Sequence, residues 1–210
     1  MSTMRLVSIC LTVILTANTR GFSAAQTAQE VQQRFAQLQD ASTSDEASVQ
    51  LKALAGNNPD ARLYLAKELP GLISRTSQNL SQDKVWSNCV HLAGELKIEE
   101  TIPVLVKLFD PIRFSGSPVS TMTSRSRFDD DPVAKALVKI GQPTIGPVSG
   151  ILEDKDKGQL TRMRAALVLY NINLPNADAA LAHDLQTETD LRVLSMIERR
   201  LKTRKDTSSR

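Results

Sequence analysis

Four segments of this 210-residue chain carry apolar residues at one spacing, and that spacing excludes most folds. Trp86, Cys89, Val90, Ala93 and Leu96 stand at offsets 0, 3, 4, 7 and 10. Those offsets form a single stripe on a 3.6-residue helix. The same frame fits Arg62 with Leu65, Ala66, Leu69 and Leu72, and Asp130 with Val133, Ala134, Leu137 and Ile140. It fits again at Arg162 with Ala165, Ala166, Leu169 and Ile172. The starts lie 24, 44 and 32 residues apart, so the array is irregular. Aromatic residues are scarce, at 4%, which suits stacked helices better than a β-sandwich.

The residues after each stripe strengthen the pattern. After Leu96 come the charged residues Lys97, Glu99 and Glu100, then Ile102, Leu105, Val106 and Phe109 at helical spacing, with Pro103 in the first turn. Proline is tolerated there because that N–H has no helical partner. After Ile140 come Gly141, Gln142 and Pro143, then a second short apolar run containing Pro147. A single offset of 44 aligns Leu96 with Ile140, Pro103 with Pro147, Leu108 with Leu152 and Asp110 with Asp154. After Ile172 come Asn173 to Asn176, then Ala177, Ala180, Leu181 and Leu185. Helices joined by so few residues run roughly antiparallel. Such a hairpin cannot bury its apolar face alone, so it must stack on its neighbours. The expected fold is all-α, an α-α superhelix of about four to five helical hairpins.

At this point the residues resemble a family. The runs DDDPVAKALVKIGQPTIGPVSGILED and LTRMRAALVLYNINLPNADAALAHDL look like HEAT repeats, closest to the short bacterial HEAT-like repeats of the phycobilin-lyase type. The resemblance rests on a small-residue pair, a leucine three positions on and a glycine after the helix. Here those are Val133-Ala134, Leu137 and Gly141, then Ala165-Ala166 and Leu169. It covers roughly residues 45–200 and implies a HEAT/armadillo-like α-solenoid, a fold that serves many unrelated roles. The first copy departs from it: Arg62 begins only 24 residues before Trp86, and Pro70 falls where a helix should continue. Residues 60–79 read as one kinked helix or two short ones.

The rest of the chain divides around this array. Residues 1–25 read as a signal peptide: Arg5, the apolar run from Leu6 to Ala17, and small residues Ser23, Ala24 and Ala25 at the cleavage position. A periplasmic or secreted location is expected, with no membrane span after cleavage. Removing that segment takes away Arg5 and Arg20 and leaves one cysteine, Cys89, and a nearly neutral chain. Nucleic acid is therefore not expected as a partner. Residues 26–44 read as an N-terminal capping helix (Val31, Phe35, Leu38) and a linker. The repeat domain spans 45–205, and 206–210 read as a disordered tail. Residues 111–129 read as an insertion loop, rich in Ser, Thr, Gly and Pro.

No catalytic constellation is visible. Cys89 and His91 lie two apart on a helix and point in different directions. Cys89 reads as a buried core residue, Trp86 as core, and no convergent metal ligands, phosphate loop or serine elbow appear. The chain reads as a non-catalytic scaffold, needing no cofactor, that binds a protein or peptide on its concave face. The candidate contacts are Arg62 and Arg162, at one repeat position, and Arg113, Phe114, Arg125, Arg127 and Phe128 in the insertion. The alternative is a lyase- or isomerase-like enzyme, or a chaperone, holding a hydrophobic ligand in the groove; it rests on analogy of fold.

Overall fold

The computed structural model describes residues 24–109 and 131–208, and among them every regular element is helical. The elements are α1 (Ala24–Leu38), α2 (Ser44–Asn57), α3 (Pro59–Thr76), α4 (Asp83–Glu95), α5 (Ile102–Lys107), α6 (Pro132–Ile140), α7 (Ile145–Glu153), α8 (Gln159–Ile172), α9 (Pro175–Thr187) and α10 (Leu191–Ser208). They pack in two rows. One row runs α2, α4, α6, α8, α10, each against the next; α3, α5, α7 and α9 form the other. The all-α superhelix expected from the repeated stripe is the observed architecture.

The stripes form the core. Cys89, Val90 and Ala93 on α4 with Leu96 at its C-cap, Val133, Ala134, Leu137 and Ile140 on α6, and Ala165, Ala166 and Leu169 on α8 are all buried. They meet in the first row, where burial of apolar area drives the stacking. α4 and α6 approach closely because Gly94 has no side chain. A Cβ there would lie 2.8 Å from the Cα of Ala136.

The ends of these three helices reveal a common device. Lys97 (φ 50°), Gly141 (φ 84°) and Asn173 (φ 55°) all have positive φ. Each lies eleven residues after its stripe began, and each ends the helix before the chain turns to the second row. Glycine and asparagine accept that conformation readily, lysine less so. Beyond it, α4 and α6 lead into matching single turns, Glu99–Thr101 and Gln142–Thr144. Their buried threonines donate to Ile98 O (2.6 Å) and Gly141 O (2.7 Å). These turns, and the helices after them, correspond at an offset of 43, not 44. Buried Ile98 is the extra residue, so Leu108 matches Ile151 and the gap-free alignment needs this correction.

Two further expectations change, for Arg62 with Arg162 and for the C-terminal tail, and one alternative is settled. Of the two readings of residues 60–79 the single helix is the observed one: it runs through Pro70 and ends at Thr76, with Leu65, Leu69, Leu72 and Ile73 all buried on one core. That burial exceeds the roughly 3 kcal/mol that an internal proline costs. The helix α3 belongs to the second row, so Arg62 and Arg162 do not share a repeat position. The C-terminal residues 206–208 continue α10. No Gly or Pro interrupts them, and Lys202 and Arg204 suit the negative end of a helix dipole. At the other end α1 packs on α2, burying Val31, Phe35 and Leu38 and setting Phe35 edge-on to Tyr64 at 5.6 Å.

Candidate functional site

α5 is the shortest α-helix among the described residues. α5 has only six residues, and Leu108 and Phe109 leave it just before residue 110. Phe109 is buried, and the guanidinium of Arg164 on α8 lies over its ring at 4.6 Å. Arg164 also pairs with Asp131, whose carboxylate accepts from Val133 N and Ala134 N, each at 3.1 Å, and so caps α6. One side chain thus ties together the two residues that flank segment 110–130. Beside this junction an open cleft of about 730 Å³ runs between α5, the end of α7 and the start of α8. Val106, Phe109, Ile151 and Leu160 give it an apolar lining; Lys107, Asp156 and Lys157 stand at its rim. A cleft of this size, apolar with a few polar groups, has the character of a ligand or peptide site.

A second open feature lies between α4 and α6. Ser87, Asn88 and His91 face Lys135, Ala136 and Lys139 across a groove of about 380 Å³. Near its end Glu95 accepts from Lys52 at 2.5 Å and from Lys139. Those two lysines hold its carboxyl at about 2, below the ordinary 4.5. Burial and then Lys139 push the His91 imidazole down from its ordinary value, against the opposing pull of Glu95.

A third cluster is closed. Arg162 is buried, and its guanidinium pairs with Glu188, which also accepts from Lys155 (3.2 Å), Thr189 N and Asp190 N (each 2.7 Å). Burial raises the Glu188 pKa, but the bonds from Asp190 N, Arg162, Lys155 and Thr189 N outweigh it and hold it at about 2. Asp184, fully buried one turn earlier, has Lys155 at 3.5 Å as its one ion partner among the described residues, and burial pushes its carboxyl up.

The proposed contacts fare differently. Arg162 is a structural ion partner inside the protein, not a surface contact. Arg62 is exposed and donates to Lys97 O at 3.2 Å, where it braces the end of α4. Arg113, Phe114, Arg125, Arg127 and Phe128 lie outside the described residues, as do the signal-peptide residues 1–23. Cys89 is fully buried, and burial pushes its thiol up to about 12, which leaves it protonated and unreactive at neutral pH. Among the described residues no three His, Cys, Asp or Glu side chains group as metal ligands, and no helix is long and apolar enough to cross a membrane.

Sequence reasoning did not find the Val106–Ile151–Leu160 cleft, whose walls come from distant stretches. The burial of Arg162 had a signal: it stands on the apolar stripe of Ala165 and Leu169, and a buried arginine requires a carboxylate. Comparison with family models, with curated proteins and with solved structures finds no match.

Proposed function

We propose that the chain is an exported, non-catalytic HEAT-like scaffold that holds a protein or peptide partner in the cleft beside residues 110–130. The observation that carries this reading is the cleft itself: an open, apolar-lined space of about 730 Å³ beside the end of α5. The repeat assignment is supported by the three helix ends with positive φ, eleven residues into each stripe. An apolar lining with Lys107, Asp156 and Lys157 at the rim suits a peptide that buries a few side chains and orients itself by charge.

The test is affinity capture with the full chain from its own envelope fraction. A partner bound by the natural protein should be lost with Val106→Asp, which charges the cleft wall at a half-buried position, and kept with Val49→Asp, an exposed position on α2. Capture that survives Val106→Asp would place the partner elsewhere and sink the cleft assignment.

A further inference from the structure

The groove between α4 and α6 has a chemistry unlike that of the cleft. Its floor is Ala136, brought near α4 by the missing side chain of Gly94. Its walls are hydrophilic: Ser87 and His91 on one side, Lys135 and Lys139 on the other. The acids close by are already engaged. Glu95 is shared between Lys52 and Lys139, and Asp45 accepts from Lys84 and Asn88, each at 2.8 Å. Lys135 is exposed and forms no ion pair with any described residue. Burial is the main cause of the lowered His91 pKa, and Lys139, Lys52 and Lys135 add to it against Glu95. Each lysine keeps N–H donors to offer, and an anion entering the groove displaces no protein carboxylate.

The spacing narrows the ligand. Lys135 and Lys139 are one helical turn apart, about 6 Å along the axis. Alternate side chains on one face of an extended strand are about 7 Å apart. Two carboxylates at positions i and i+2 of an extended peptide therefore match the two ammonium groups, while Ser87 can bond the peptide backbone. We propose that this groove binds an extended acidic peptide segment carrying Glu or Asp at alternate positions. It is a different surface from the cleft, so failure of one assignment leaves the other standing.

The experiment is a nitrogen-15 amide titration of the full chain with the peptide Gly-Glu-Ser-Glu-Ser-Glu-Gly, blocked at both ends, at about 20 mM salt, where surface charge is weakly screened. The expected result is shifts confined to the amides around Ser87, His91, Lys135 and Lys139. Binding should weaken about tenfold with Lys135→Glu, an exposed position whose change leaves the circular dichroism unaltered. It should also weaken as salt is raised, and a peptide with Lys in place of Glu should give no shifts. No shift with the acidic peptide, shifts elsewhere, or equal binding by Lys135→Glu would overturn the proposal. So would tighter binding at these residues by a single-stranded oligonucleotide, which would assign the groove to phosphate.

Discussion

Glu95 and Glu188 occupy comparable places and do different work. Each is a carboxylate held between two cations from neighbouring helices or loops, and each is held at about 2. Around Glu95 the partners are exposed: the side chains of Lys52 and Lys139 are 52% and 40% accessible. Around Glu188 the principal partner is not, since Arg162 is 8% accessible and Glu188 itself 0%. Removing Glu95 leaves two lysines that water can solvate. Removing Glu188 leaves a buried guanidinium, with Asp190 at 3.7 Å as the one remaining carboxylate partner among the described residues. A similar carboxyl pKa thus accompanies two different structural roles, and the exposure of the partners decides which role it is.

The largest expected effect tests the buried side of this comparison. Glu188→Ala should cost about 3–5 kcal/mol in urea unfolding, the scale for breaking one partner out of a buried pair. In the Glu95 region close packing carries the stability instead. Gly94→Val should cost roughly 1–3 kcal/mol, because its Cβ would meet the α6 backbone at Ala136, which cannot move aside as a flexible side chain could.

A smaller effect separates the two buried acids by pH. The folded pKa of Glu188 is depressed, so its contribution is present above the ordinary value of 4.5 and is lost as pH falls toward about 2. Asp184 is shifted upward, so its protonated form favours folding and its charge opposes folding once pH rises through the folded value. Asp184→Asn should therefore be neutral or stabilising by up to about 1 kcal/mol at pH 7. That gain should vanish in acid, as followed by thermal unfolding at pH 7 and pH 3. A clear loss at pH 7 would mean that the Lys155 contact outweighs burial.

Much of the fold was legible in the chain because it lies in local periodicity. The stripes at Trp86, Asp130 and Arg162 fall in one row, α4, α6 and α8, and Gly141 announced the turn that comes after α6. The same turn at Lys97 was hidden, since nothing local marks lysine for positive φ. Pro70 left two readings open: local chemistry favours a break, and tertiary burial on both sides of it selects the continuous helix. The candidate sites were less legible. The Arg164 contacts with Phe109 and Asp131 join residues far apart in sequence, as do the walls of the Val106–Leu160 cleft. Such pairings depend on which helices stack, and stripe spacing does not specify that.

The most direct test of the comparison is salt. Glu95→Ala and Glu188→Ala should be unfolded with urea at about 0.05 M and about 1 M sodium chloride, where the screening length falls to about 3 Å. Glu95→Ala should cost at most about 1 kcal/mol at low salt and almost nothing at high salt. The cost of Glu188→Ala should stay several times larger and change little between the two. Equal costs at low salt, or a Glu188 effect that fades with salt as the Glu95 effect does, would contradict the account.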